Sequence, residues 1–184
     1  CIAVDYVVVQ ESVKDALLAA MTKEIGKRYP HAEKSDAYPS IINQRHYDRL
    51  IGLMKTESSL IGGAVNAEKR RIAPTLMPEA DFDHPIMEDE IFGPLLPIIA
   101  VKDMQNAVAH IKTLPNPLAC YVFTENKAVA EAVIANLSFG GGCINDTLLH
   151  VTNPNLPFGG VGNSGMGSYH GKASFDAFSH KKSI

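Results

Sequence analysis

Apolar and polar residues recur along this chain with two different periods, which predicts strands and helices in turn. Residues 2–9 are dominated by Val, Ile and Tyr, which pack well on a pleated surface, so they are predicted to form a strand. A helix is predicted next, capped by Ser12 and ended by Gly26 and Pro30. The apolar residues at four-residue spacing on its predicted inner face are Val13, Leu17, Met21 and Ile25.

The same alternation continues through most of the chain. Residues 44–55 are predicted to form a second helix with one apolar face, and Asn43 is a candidate cap for its N-terminus. The further predicted elements are strands at 60–65, 71–77, 95–101 and 118–123, a helix capped by Asp103, a fourth helix around 129–137 and an apolar stretch at 143–151. Parallel strands need a crossover connection, so this order predicts an α/β fold, a three-layer αβα domain with a mainly parallel sheet. One domain is expected over residues 1–184, including a Gly-rich loop and tail at 153–184.

Composition and charge exclude several classes of partner. A net charge of −3 gives no broad attraction for nucleic acid or an anionic membrane. The longest apolar run, residues 95–101, is interrupted by Pro97 and is too short to span a bilayer. Three cysteines without paired spacing favour a reducing cytoplasm, and seven scattered histidines without HxH or HExxH spacing predict no metal site.

Cys1 is a candidate nucleophile because it stands directly before the first predicted strand. Covalent catalysis needs a thiolate, and therefore a helix N-terminus, a cation or a base that lowers the pKa of the thiol. The neighbouring sequence offers no obvious base, so residue type alone favours an ordinary cysteine. A chain that begins with cysteine and shows no signal-peptide pattern is expected to be a fragment or a processed product.

Residues 88–94 place three acids before an aromatic residue and a Gly-Pro turn. A carboxylate such as that of Glu90 can accept hydrogen bonds from vicinal sugar hydroxyls, and the Phe92 ring can pack on a flat heterocycle. Composition alone, however, favours a solvated acidic turn.

The spacing of Gly160, Gly162 and Gly165 satisfies the dinucleotide pattern GxGxxG. The true fingerprint lies between a strand and a helix early in a βαβ unit, whereas these glycines come near the end of the chain. They are better interpreted as a backbone that turns tightly and approaches another surface closely.

Taken together, these segments resemble the aldehyde dehydrogenase superfamily, and within it the class 3-like branch of fatty and aromatic aldehyde dehydrogenases. The resemblance covers almost the whole chain. It is carried by CIAVDYV at 1–7, EIFGP at 90–94, IND at 144–146 and the segment 156–171, which ends in SYHG.

The resemblance implies oxidation of an aldehyde to a carboxylic acid with NAD or NADP. It implies that Cys1 is the nucleophile, which forms a thiohemiacetal and then, after hydride loss, a thioester that water hydrolyses. It also implies that Glu90 binds the nicotinamide ribose and that Phe92 contacts the nicotinamide. Asn145 and Phe158 are implied to lie around the substrate pocket.

The resemblance further implies that the family's dinucleotide-binding domain, general base and oxyanion-hole amide precede Cys1. NAD or NADP is therefore expected to be bound mainly outside this chain, and the chain alone is expected to be inactive. A homodimer is implied as well. Val4 stands where many relatives have proline, with no predicted consequence for the chemistry.

Two alternatives stay open. Cys1 could be a processed nucleophile that uses its own α-amine as the base, as in N-terminal-nucleophile hydrolases, although those enzymes need an antiparallel-rich sandwich. The chain could instead be a non-catalytic assembly module that associates through exposed strand edges.

Overall fold

The computed structural model describes residues 1–184. The strands are β1 (Val7–Gln10), β2 (Val65–Asn66), β3 (Arg71–Ile72), β4 (Thr75–Met77), β5 (Leu95–Val101), β6 (Ala119–Val122) and β7 (Gly141–Ile144). The helices are α1 (Glu11–Arg28), α2 (Gln44–Met54), α3 (Met104–Ile111), α4 (Lys127–Asn136), α5 (Leu149–Thr152) and α6 (Gly171–Ala177), with 3₁₀ turns at Pro85–Met87 and Gly162–Ser164.

These elements form two compact units. One is the Val4–Met104 unit, and the other, called the C-terminal unit, consists of Cys1–Ala3 and Gln105–Ile184. The expectation that residues 1–184 make up one catalytic domain stays a prediction. None of the helices is both long and apolar enough to cross a membrane.

The Val4–Met104 unit is built on a three-stranded sheet in the order β1-β5-β4. Both pairings are parallel, with Val9 opposite Ala100 and Met77 opposite Pro97. The central strand β5 has the predicted bounds, and four of its seven residues are buried, as expected for a strand paired on both edges. The prediction of an α/β fold with mainly parallel strands is confirmed. The short β2-β3 pair is antiparallel.

Helix α2 packs into the core of this unit through the apolar face that the sequence predicted. The Asn43 side chain accepts a hydrogen bond from the His46 backbone N–H at 2.9 Å, which confirms the predicted cap. Tyr47, Leu50 and Met54 of α2 are buried against strand and loop residues. The other buried members of this core are Ile72, Met77, Ile86, Ile91 and Leu95.

The start of the chain differs from the prediction. The first strand begins at Val7 rather than at residue 2, and α1 follows it directly from Glu11. Ser12 therefore lies inside the helix, and the residue in the cap position, Gln10, makes no side-chain cap hydrogen bond. The predicted Ser12 cap is wrong because strand and helix meet without the turn that a capping residue would occupy.

The apolar stripe of α1 is present but is not buried. No residue of α1 is buried, and Val13 is 49% exposed. Met21 and Ile25 line an open cavity of about 270 Å³ with Leu76 and Leu96. Periodicity identifies an apolar face, but burial also needs a surface that packs over it.

The strand predicted at 71–77 is interrupted at Pro74. Proline has no backbone N–H for a ladder, so the segment divides into β3 and β4, which pair with different strands. The strand predicted at 60–65 is reduced to a bridge between Ile61 and Leu76 and the two residues of β2.

The C-terminal unit contains a βαβ arrangement in which α4 connects the parallel strands β6 and β7. The Asn126 side chain caps α4 by accepting hydrogen bonds from the N–H groups of Ala128 and Val129. The predicted loop and tail at 153–184 contains a bridge between Phe158 and Tyr169 and also the seven-residue helix α6, which the sequence prediction missed. A loop was predicted there because residues 153–184 as a whole are rich in glycine, proline and polar residues.

Candidate active site

Cys1 is exposed and belongs to the C-terminal unit. Its segment is tied to strand β6, because the Tyr121 hydroxyl donates a hydrogen bond of 2.6 Å to the carbonyl oxygen of Ile2. The candidate nucleophile is thus accessible and is followed at once by a fixed backbone group.

The turn that carries Glu90 and Phe92 is anchored by the buried residue between them. Ile91 is 1% exposed, and its N–H donates to the Asp5 carboxylate at 3.0 Å. Its carbonyl oxygen accepts a hydrogen bond from the Arg49 guanidinium. Both backbone groups of Ile91 are therefore satisfied, whereas Glu90 is exposed and Phe92 is 64% exposed.

Close packing on α2 also shapes this turn. A Cβ atom on Gly93 would lie 2.5 Å from Cδ2 of Leu50, a fully buried side chain, so the turn approaches the helix more closely than an alanine allows. Phe92 itself has a φ of 48°, in the left-handed region that non-glycine residues seldom adopt. The exposed Phe92 ring is therefore carried on a strained backbone, two residues after Glu90.

Asp5 has a raised pKa. Burial of the carboxyl is the main cause, and the negative charge of Glu90 adds to it, while the Ile91 N–H and the Arg49 charge act in the opposite direction. Because the pKa of Asp5 is raised in the folded state, the protonated carboxyl stabilises the fold. This stabilisation is complete only at a pH below the pKa of the unfolded aspartate. This contribution is lost as pH rises through the folded pKa.

We therefore expect Asp5→Asn to raise the free energy of unfolding at neutral pH, since asparagine keeps an acceptor for Ile91 without a buried charge. The expected gain is below about 1 kcal/mol, because solvent screens a half-buried carboxyl. Urea unfolding of both proteins at several pH values checks this. The gain should shrink as pH falls toward the pKa of an unfolded aspartate, and a gain independent of pH would contradict the assignment.

A cluster of rings in the C-terminal unit surrounds Phe158. The Phe158 ring is stacked on His170 at 5.7 Å between centroids and lies edge-on to Tyr169 at 5.8 Å. On another side it meets His150 at 6.0 Å, and His150 in turn lies 5.8 Å from Tyr121. The predicted pocket residue Phe158 is therefore linked through rings to Tyr121, which holds the residue after Cys1.

The His150 side chain packs closely against strand β7. Its Nδ1 lies 3.6 Å from the Sγ of Cys143, and a Cβ on Gly141 would come within 2.9 Å of its Cδ2. Its Nε2 and the Nδ1 of His170 are buried without a hydrogen-bond partner.

Asn145, the other predicted pocket residue, is exposed at the end of β7. Its side-chain oxygen accepts from the Thr124 N–H at 2.9 Å, and its side-chain nitrogen donates to the Thr124 carbonyl at 3.0 Å. The amide thus fixes the loop after β6. The implied substrate-pocket role stays a prediction.

The sequence did not single out Asp5, Arg49 and Tyr121, although each holds a candidate site residue or its neighbour. An acid among the apolar residues of the first segment was a usable signal for Asp5. Arg49 and Tyr121 gave none, because their partners are distant in sequence.

The model of the aldehyde dehydrogenase family matches residues 1–184. The chain therefore belongs to the aldehyde dehydrogenase family. It is 48% identical to 4,4'-diaponeurosporen-aldehyde dehydrogenase of Staphylococcus aureus and 42% identical to the dimeric NADP-preferring aldehyde dehydrogenase of Rattus norvegicus.

These alignments cover 100% of this chain but only 40% and 41% of those two relatives, so the chain spans about two fifths of their length. A solved structure, the substrate-bound state of Staphylococcus aureus AldH, superposes with a TM-score of 0.93 at 47% identity, over 98% of this chain and 40% of that one. An NADP complex of NADP-dependent glyceraldehyde-3-phosphate dehydrogenase from Bacillus halodurans superposes with a TM-score of 0.84 at 27% identity, over 95% of this chain and 37% of that one.

Proposed function

We propose that the protein carrying this chain oxidises an aldehyde to a carboxylic acid with NAD or NADP, and that Cys1 is its nucleophile. Family membership supports the reaction class. The observation that carries the proposal is the Glu90–Phe92 turn, because two exposed side chains flank a residue whose backbone is fixed at both polar groups. Such a turn is preorganised to bind a flat polar ligand.

The exposed groups on this turn fit the nicotinamide end of the cofactor. The Glu90 carboxylate can accept two hydrogen bonds from vicinal ribose hydroxyls, and the Phe92 ring offers an apolar face to the nicotinamide. When bound, the oxidised nicotinamide accepts the hydride. We propose that the adenine and pyrophosphate are held outside residues 1–184, because these residues span about two fifths of their curated relatives.

The proposed chemistry begins with the Cys1 thiolate, which adds to the aldehyde carbon and forms a C–S bond. The Cys1 backbone N–H donates to the resulting oxyanion. After hydride departure the acyl group remains on Cys1 as a thioester, and attack by water breaks the C–S bond and releases the acid. The base that deprotonates this water is proposed to lie in the remainder of the protein.

We expect Glu90→Gln to lower kcat/KM for NAD(P) about tenfold in the full-length protein, because an amide accepts hydroxyl hydrogen bonds less well than a carboxylate. Glu88→Gln is the matched control, since Glu88 is an exposed acid of the same turn region. Steady-state formation of NAD(P)H measures both variants. Equal kinetics for the two variants would count against the role of Glu90.

We also propose a homodimer, supported by the relative from Rattus norvegicus, which is a dimeric aldehyde dehydrogenase. Sedimentation at several protein concentrations tests it.

The cytoplasm stays the proposed compartment, supported by Cys120 and Cys143, which are thiols rather than a disulfide. The parallel sheets do not support the alternative of an N-terminal-nucleophile hydrolase.

A further inference from the structure

We propose that Tyr121 is a positioning residue for Cys1 and acts through the carbonyl of Ile2. This rests on the proposed function, in which Cys1 is the nucleophile. The Tyr121 hydroxyl donates a hydrogen bond of 2.6 Å to the Ile2 oxygen across 119 positions of sequence. Cys1, Ile2 and Tyr121 all belong to the C-terminal unit.

Ile2 lies outside every strand, so no ladder fixes its peptide group. Strand β1 begins only at Val7, so Ile2 lies outside the sheet that this strand joins. A hydrogen bond to the Ile2 carbonyl fixes the orientation of its peptide group. This limits how far the adjacent Cys1 backbone N–H and thiol can move.

The donor is itself held firmly. Tyr121 lies in strand β6, paired with Cys143 of β7, and its ring lies against the His150 ring. His150 is confined in turn by the Cys143 thiol and by its contact with Gly141, where even a Cβ would lie only 2.9 Å from the imidazole. A phenol fixed on strand β6 can therefore hold the peptide group of Ile2 in place.

The ionisation of the phenol agrees with a donor role. Burial raises the pKa of Tyr121, and the negative charge of an ionised Cys143 would raise it further. A hydrogen bond with the backbone of Leu148 lowers the pKa, but by less than burial raises it. The hydroxyl thus keeps its proton throughout the pH range in which a cysteine enzyme works. It stays a hydrogen-bond donor to Ile2.

Positioning matters for this reaction because thiolate addition needs the sulfur within a narrow range of distances and angles from the carbonyl carbon. A displacement of about 1 Å can cost a reaction about 100-fold. Loss of one hydrogen bond at the adjacent residue is a smaller disturbance. We expect about a tenfold loss in the rate of the chemical step.

The test compares Tyr121→Phe with Tyr29→Phe in the full-length protein. Tyr29 is a 48% exposed tyrosine of the other unit, so its variant controls for the loss of a phenol hydroxyl. We expect Tyr121→Phe to lower kcat per folded enzyme about tenfold, with less than a twofold change in KM for the aldehyde. The rate at which iodoacetamide alkylates Cys1, measured on the Cys1 peptide by mass spectrometry, should also change, whereas Tyr29→Phe should match the unchanged protein in every measurement.

A second variant keeps the ring and the hydroxyl group and makes the phenol more acidic. Difluorotyrosine incorporated at position 121 has a lower phenol pKa, so its hydroxyl stops donating at lower pH. We expect kcat of this protein to fall with rising pH earlier than kcat of the tyrosine protein. A purely structural role would leave the pH profile unchanged.

Two outcomes would overturn the proposal. One is an unchanged kcat per folded enzyme in Tyr121→Phe, and the other is a difluorotyrosine protein with the ordinary pH profile. A Cys1→Ser reference variant separates this failure from that of the proposed function. If Cys1→Ser is inactive and Tyr121→Phe is normal, only the positioning role is wrong, whereas an active Cys1→Ser protein removes the basis of both.

Discussion

Replacing Cys1 by serine is expected to lower kcat/KM for aldehyde oxidation by the full-length protein at least about 1000-fold. A serine hydroxyl is far less acidic than a thiol and yields almost no anion at neutral pH, so the covalent step loses its nucleophile. Serine has nearly the same size and shape as cysteine, and Cys1 is exposed within residues 1–184, so the fold should be kept. Aldehyde-dependent formation of NAD(P)H measures the activity, and circular dichroism checks the fold.

Cys120→Ala is the matched control for this experiment. Cys120 lies in strand β6 and is partly buried, and burial raises the pKa of its thiol, which makes it a poor nucleophile. We expect this variant to keep most of its activity per folded enzyme. Retained activity in Cys1→Ser, or its loss in both variants to the same extent, would refute the assignment of Cys1.

Gly142→Ala is expected to destabilise the protein by about 3 kcal/mol or more. A Cβ at this position would lie 1.9 Å from the carbonyl oxygen of Cys120 on the neighbouring strand. That oxygen belongs to the parallel β6-β7 pair, in which Cys120 is the partner of Gly142, so neither strand can move away without breaking the ladder. Urea unfolding followed by circular dichroism measures the loss.

Gly26→Ala provides the opposite expectation with the same chemical change. Gly26 is exposed on α1, and a Cβ there would meet no atom within 4 Å. Alanine restricts the unfolded chain and suits a helix, so we expect the free energy of unfolding to rise by up to about 1 kcal/mol. If the two glycine variants had similar stabilities, the close approach of β6 and β7 would be in doubt.

Local patterns gave much of the fold. The apolar run of β5 and the face and Asn43 cap of α2 depend on neighbouring residues, and they were predicted correctly. Predictions failed where a distant partner or a missing turn decided the outcome. The α1 stripe is not buried, and the predicted strand at 71–77 pairs as two strands with different neighbours.

The candidate site divides in the same way. Cys1, Glu90 and Phe92 are named by motifs that the chain shares with a family, and the match over residues 1–184 confirms membership in that family. Their catalytic and binding roles stay proposals. The residues that support them, Asp5 and Tyr121, contribute hydrogen bonds that no local pattern contains.

By itself the sequence determined the family, the alternation of strands and helices, and the candidate site residues to test, because motifs and periodicity are local properties of a chain. Only the tertiary structure decided what holds those residues in place. The hydrogen bond from Ile91 to Asp5 spans 86 positions and that from Tyr121 to Ile2 spans 119. Contacts of this kind depend on the tertiary fold, which brings segments that are distant in sequence close together. For Cys1, the structure shows that the next residue, Ile2, is hydrogen-bonded to Tyr121 of strand β6. The sequence did not distinguish Tyr121 from the other tyrosines of the chain.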